Sequence, residues 1–272
     1  MDILLRYLEY PFVQTAFVVG ALIALCSSLI GVPLVLRRCS FVGDSLSHTA
    51  FLATTIAALL GLTNLGMLTP IVVIAVSFVM LRRKSAGDSF LAMVSVLTLA
   101  VGYVAINLSG SGNVSGDVCG VLFGSTSILT LKSSDIATCI VLFVVVLVLF
   151  LVTYHKTLRI TFDRDYAKVN GENTLVNDIL FSIMIGSVVS VAVSFVGALL
   201  VTALIVLPTS AAMLICKSYK KAVVTSCVIS VLCALCGMAV SIVKGTPVGS
   251  TVVIVDALVL FVIFLGRKVV CK

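Results

Sequence analysis

Asp44 and His48 are the residues of this chain whose types and spacing imply chemistry most directly. They stand four apart in the segment RRCSFVGDSLSHTAF, and on a helix such residues share one face with their β-carbons about 6 Å apart. A carboxylate and an imidazole on one face can turn toward a single ion. Carboxylate oxygen with imidazole nitrogen suits zinc or manganese, whereas sodium or potassium makes no use of a histidine. Two ligands are too few for a closed structural site, which fits a site that must release its ion, and a symmetric dimer would bring a second pair. The alternative reading is local: Asp44 caps the helix start after a glycine turn and His48 bonds a nearby carbonyl. Ser45, Ser47 and Thr49 add hydroxyls, which in membrane helices commonly bond their own backbone.

These two side chains matter because of what surrounds them. The 272 residues are 61% hydrophobic and 11% charged, with no Trp, far from the quarter-charged composition of a soluble domain. A bilayer span needs about 20 mostly apolar residues, and the chain is a succession of such runs with short polar connections. The expected fold is therefore all-α, a polytopic helical membrane protein of 8–9 transmembrane helices. The first run, 12–36, has no basic start and is followed by Arg37 and Arg38, so it reads as a retained span rather than a cleaved signal. Ionisable residues inside a membrane are costly and are functional candidates. Besides Asp44 and His48 they reduce to Asp256, inside the last run, with Asn107 at the end of the fourth; either lines a polar path or serves packing. Pro208 falls in VTALIVLPTSAA, where proline removes a helical hydrogen bond and can break the helix along a transport path or simply kink it.

The charges give the topology. Arg37/Arg38, Arg82/Arg83/Lys84, Lys156/Arg159/Arg164/Lys168, Lys217/Lys220/Lys221 and Arg267/Lys268/Lys272 hold 15 of the 18 basic residues. Short basic loops stay in the cytoplasm, so an even number of spans must separate successive clusters. Runs at 46–62 and 65–81 fill the first interval, and 89–108 and 136–154 the second. The uncharged stretch 179–216 has to hold two spans with a turn near Gly197, and 222–243 and 250–266 follow. With the first run this makes nine spans, N-terminus outside and C-terminus inside; without a crossing around Pro70 or a split at Gly197 it makes eight. Outside, 109–135 carries Gly116, Gly120 and Gly124 at a spacing that lets backbones approach closely. Inside, 156–178 is the longest connection and the one rich in both signs of charge.

Other chemistries find little support. A phosphate loop, HExxH and GxSxG are all absent, so if ATP drives this protein another chain binds it. The net charge of +7 is spread over loops as topology demands and forms no nucleic-acid surface. Five of the nine cysteines, Cys26, Cys139, Cys227, Cys233 and Cys236, lie in apolar runs, where they behave as small hydrophobes. The Cys233/Cys236 pair has only Val, Leu and Ala around it. His155, beside Lys156, reads as interfacial.

In order along the chain, LRRCSFVGDSLSHTA, DVCGVLFGS, LRITFDRDYAKVNG, VGALLVTALIVLPTSAAML and TPVGSTVVI resemble the motifs of permease subunits of ATP-binding-cassette importers for zinc, manganese and iron. The likeness runs over nearly the whole chain. It implies one transmembrane permease domain, 1–272, in a bacterial inner membrane. It also implies a non-catalytic transport subunit that forms a homodimer, with separate cytoplasmic ATPase subunits and an extracytoplasmic metal-binding protein. By the same resemblance Asp44 and His48 fall where that family places intramembrane metal ligands, for Zn2+, Mn2+ or Fe2+ as the transported ion and with no permanently bound cofactor. The segment 156–178 becomes a cytoplasmic coupling segment in which Asp163, Asp165, Gly171 and Glu172 meet the ATPase, and Pro208 and Asp256 become structural or path residues. The Asp-Ser-Leu-Ser-His form resembles zinc-type members. Two departures stand out: Phe51-Leu52-Ala53-Thr54 follows the histidine where the family has small residues and a glycine, and Thr209-Ser210 follows Pro208 where alanines are usual. The rival expectation is a single-chain ion-coupled divalent metal carrier, which needs acidic residues facing a midplane cavity and has only Asp44 and Asp256 to offer. An integral-membrane enzyme needs clustered catalytic groups at one depth, and only one intramembrane histidine is present.

Overall fold

The computed structural model describes residues 10–59, 65–82, 87–108 and 133–270. Among them every regular element is a helix: α1 Pro11–Leu36, α2 Val42–Leu59, α3 Leu65–Arg82, α4 Gly87–Leu108, α5 Ser133–Phe162, α6 Arg164–Val169, α7 Thr174–Val196, α8 Ala198–Ile215, α9 Tyr219–Lys244 and α10 Val248–Val270. An apolar environment leaves the backbone no water to bond, so spanning segments satisfy it internally as helices. All but α6 coincide with the nine apolar runs of the sequence. Seven of them, α1, α4, α5, α7, α8, α9 and α10, contain segments long and apolar enough to cross a membrane. The stretch 109–132, with Gly116, Gly120 and Gly124, lies outside the described residues.

The uncharged stretch 179–216 divides at Gly197, as span parity requires. Its φ of 94° is backbone that glycine adopts freely and other residues do not, and α8 begins at the next residue. The helix does not divide at Pro208, contrary to a broken span there: α8 runs through it to Ile215. The basic Arg37–Arg38 turn is closed by two backbone bonds, Arg38 N–H to Val35 C=O at 3.1 Å and Cys39 N–H to Leu34 C=O at 3.0 Å. They form a Schellman closure in which Arg38, at φ 56°, takes the left-handed position where glycine is usual. The chain thereby turns directly from α1 into α2.

Helices α1, α7 and α8 make the interior, with 67% of the apolar window of α1 buried against 22% of that of α5. Helix α2 lies against α3, α4 and α8. Two glycines set its depth. A methyl group at Gly43 of α2 would stand 3.1 Å from Ile205 Cδ1 of α8, and one at Gly102 of α4 only 2.8 Å from the Phe51 ring. Phe51 itself is 2% exposed. The bulk that follows His48 is thus taken up by a glycine on the facing helix, as small residues do at close helix crossings.

Enlarging that glycine should force the pair apart. Gly102→Val is expected to destabilise the protein by about 1–3 kcal/mol, the usual cost of overpacking. Gly266→Ala, where an added methyl meets open space, should change little; thermal unfolding of both in detergent checks the contrast.

Candidate functional site

The first turn of α2 carries Asp44, and one turn later comes His48. The helix is held in place from inside and outside: Ser47 Oγ donates to Gly43 C=O at 2.8 Å and Thr49 Oγ1 to Ser45 C=O at 2.7 Å, as hydroxyls in apolar helices do. The Ser45 hydroxyl lies between two acceptors, Phe41 C=O at 2.9 Å and, across on α4, Leu91 C=O at 2.7 Å.

The spacing brings Asp44 and His48 together. His48 Nε2 stands 3.4 Å from Asp44 Oδ1, and the other oxygen, Oδ2, accepts a 2.5 Å hydrogen bond from Ser95 of α4. Those are the partners of the carboxylate, so Asp44 does not act as a cap on a backbone N–H. His48 Nδ1 is buried with no hydrogen-bond partner, which leaves Nε2 as the nitrogen beside Asp44. The Asp44 side chain is 40% exposed and that of His48 14%, so the pair sits at an opening. No group of three or more His, Cys, Asp or Glu placed to hold a metal occurs among the described residues.

Asp256 and Pro208 lie on other helices. Asp256, on α10, is 2% exposed, with the buried Cys233 thiol of α9 beside it; it is packed inside the protein. Pro208 is buried in α8, and its neighbour Thr209 joins Ser226 and Ser28 in a chain of hydroxyls at 3.2 and 2.7 Å. Cys233 is buried and Cys236 exposed, with no disulfide between them. Asn107 is exposed and bonds Tyr103 C=O.

The charged segment after α5 builds one short, capped element. Asp163 caps α6, its Oδ1 accepting from Asp165 N–H at 3.0 Å and Tyr166 N–H at 2.9 Å. Gly171, at φ 76°, closes the other end: its N–H bonds Lys168 C=O and that of Glu172 bonds Ala167 C=O, both at 3.0 Å. Asp165 pairs with Lys168 on the surface, and Glu172 with Arg159 at 3.0 Å. With both ends fixed, α6 presents Tyr166 and Val169 outward, 59% and 87% exposed, at a spacing that puts them on one face, and Phe162, the last residue of α5, is 68% exposed.

Beneath α6 lies a charge cluster that the sequence did not mark. Asp178, with a fully buried side chain, pairs with Arg164 and, at 3.8 Å, with Arg37. Arg37 also donates to Thr161 Oγ1 at 3.0 Å and its guanidinium lies 4.7 Å from the centre of the Phe181 ring. Burial pulls the Arg37 pKa down, and Asp178 is the largest influence opposing it. The available signal was Asp178 itself, a carboxylate at the mouth of a long uncharged run, which has to find a cation. Removing it strands two arginines. Asp178→Ala is therefore expected to cost about 3–5 kcal/mol, as breaking a buried pair does, whereas Asp165→Ala should leave the unfolding temperature unchanged because exposed pairs contribute little.

The comparisons with known proteins agree with this architecture. The high-affinity zinc uptake system membrane protein ZnuB of Buchnera aphidicola subsp. Acyrthosiphon pisum (strain APS) is 25% identical over 90% of this chain and 94% of its own length. The manganese transport system membrane protein MntC of Listeria monocytogenes serovar 1/2a is 26% identical over 95% of this chain and 91% of its own. Among solved structures, PsaBC from Streptococcus pneumoniae in complex with Fab superposes with a TM-score of 0.82 at 21% identity, over 97% of this chain and 94% of that one; this likeness speaks to the fold. Residues 9–267 match the ABC 3 transport family, and the chain, a multi-pass membrane protein, belongs to that family.

Proposed function

We propose that this chain is the membrane permease subunit of an ATP-driven importer for a divalent transition metal, with zinc as the cargo, and that Asp44 and His48 are its transport ligands. The observation that carries the reading is the 3.4 Å separation of His48 Nε2 and Asp44 Oδ1 on a helix of a largely apolar bundle. Two ligand atoms each about 2.0–2.1 Å from a tetrahedral zinc stand about 3.3–3.4 Å apart, so the pair can clasp one ion with little rearrangement. The names of the relatives, a zinc and a manganese system, support a metal cargo and both ions; the choice of zinc rests on the spacing and on the Asp-Ser-Leu-Ser-His form. Bare affinities for such ligands follow a general order among divalent ions, so a delivering protein outside the membrane would share in selectivity.

In this reading the chain carries no phosphate loop because a separate cytoplasmic ATPase hydrolyses ATP, and two copies of the permease form the assembly. The exposed Tyr166 and Val169 of α6 and Phe162 at the end of α5, with Asp163, Asp165, Gly171 and Glu172 around the ends of α6, are the part that meets the ATPase. Closure of the ATPases moves α6, the helices follow, and the Asp44/His48 pair changes the side to which it is open. The ion leaves because two ligands hold it less tightly than the four of a closed structural site.

Radioactive zinc uptake by cells carrying the whole transporter tests the reading. His48→Ala at matched membrane levels should lose uptake by at least about tenfold, the low end for a lost metal-site interaction, and manganese should compete in the wild type. Unchanged uptake would refute the ligand assignment. Deleting Gly171-Glu172-Asn173 should abolish transport while leaving membrane insertion intact, and normal uptake by that variant would refute the coupling role.

A further inference from the structure

We propose that Ser95 of α4 is the positioning residue of the metal-binding carboxylate, so that the grip on the ion depends on α2 and α4 staying packed together. The inference rests on Asp44 and His48 being the transport ligands and adds a third residue from a different helix.

A serine inside an apolar helix ordinarily donates back to the carbonyl four residues earlier. For Ser95 that acceptor is Leu91 C=O, and Ser45 Oγ of α2 stands 2.7 Å from it, sharing its proton between Leu91 C=O and Phe41 C=O at 2.9 Å. The Ser95 hydroxyl turns outward instead and donates to Asp44 Oδ2 at 2.5 Å. Helices α2 and α4 thus exchange hydroxyl bonds: Ser45 goes to the backbone of α4 and Ser95 to the carboxylate of α2. Both serines are buried, Ser45 at 0% and Ser95 at 5% exposure.

The exchange decides how Asp44 can bind. With Oδ2 held by Ser95, Oδ1 is the oxygen turned to His48 Nε2, and the carboxylate offers an ion one oxygen in a fixed direction. Without Ser95 the carboxylate is free to rotate about its Cβ–Cγ bond and has to be ordered at the moment of binding. Groups that orient a ligand in this way typically contribute 10–100-fold to metal affinity. Because Ser95 belongs to α4, a shift of α4 along α2 removes the orientation without touching either ligand. The crossing is tight at Gly102 against Phe51, so the two helices have one close-packed register in which the bond is made.

The experiment is titration of zinc alone into the purified full-length chain in lipid nanodiscs. Ser95→Ala is expected to weaken zinc binding 10–100-fold with the metal-free unfolding temperature unchanged, while Ser95→Thr, which keeps the hydroxyl, restores binding. Ser45→Ala frees the Leu91 carbonyl, lets Ser95 bond back to its own helix and should weaken binding in the same direction. His48→Ala separates the two levels of the argument. If it abolishes binding while Ser95→Ala binds as wild type, the positioning role is overturned and the ligand pair stands. If His48→Ala binds zinc as wild type, the ligand assignment itself falls. Loss in Ser95→Ala that Ser95→Thr does not restore also overturns the positioning role, since shape and not the hydroxyl would then be responsible.

Discussion

A charge taken into an apolar bundle has to be held by something, and the two ways this protein holds one organise the rest of its structure. Asp178 is closed off: two arginines from different parts of the chain reach it, its side chain is fully buried and solvent has no access. Asp44 is left open: one oxygen is held by a neutral hydroxyl, the other faces an imidazole, and 40% of the side chain is exposed. Both are carboxylates near helix starts in a chain of 61% hydrophobic residues. The first is compensated permanently and leaves no room for an exchangeable cation. The second is compensated in part, which is the condition for exchanging a cation.

Holding an open carboxylate in a fixed direction requires the helices around it to be fixed as well, and in a membrane the hydrophobic effect does little to press helices together. Close packing and hydroxyl bonds do that work. Gly43 lets the first turn of α2 lie against α8, Gly102 lets Phe51 enter the surface of α4, and Ser45 bonds the α4 backbone. The large Phe51 after the histidine is thus matched by a missing side chain on the opposite helix.

Much of this was legible in the sequence because its signals are local. Apolar runs mark helices wherever water is absent, the lysine and arginine clusters set their parity, and parity forced the division of 179–216 that Gly197 makes. Asp44 and His48 could be paired because four residues on a helix is one turn. Contacts between helices had no such signature. Ser95 lies 51 residues from Asp44 and Arg37 lies 141 from Asp178, and a serine in an apolar run looks like any other until its usual acceptor is known to be taken. At Pro208 the sequence allowed a break or a kink, since proline costs a hydrogen bond, and the helix continues through it, with Thr209 engaged by Ser226.

The cluster at Asp178 also ties together parts of the chain that would otherwise move separately. Arg164 is the first residue of α6, Arg37 caps the end of α1, and immediately after Arg37 the left-handed Arg38 turns the chain into α2. One carboxylate on α7 therefore fixes the element that presents Tyr166 and Val169 to the exterior and the turn from which the Asp44/His48 helix departs. Arg37 strengthens the link by stacking on Phe181 and donating to Thr161, so it is held by α5 and α7 at once. A guanidinium can do this because its planar fork offers several donors in fixed directions and a face that stacks on an aromatic ring; a lysine at position 37 would hold Asp178 by charge alone and leave Thr161 and Phe181 without their partner. The buried pair is costly to assemble and adds little net stability over an apolar substitute. What an apolar substitute would lack is direction: it could fill the space between α1, α5, α6 and α7, but it would not fix the orientation of α6 relative to the turn into α2.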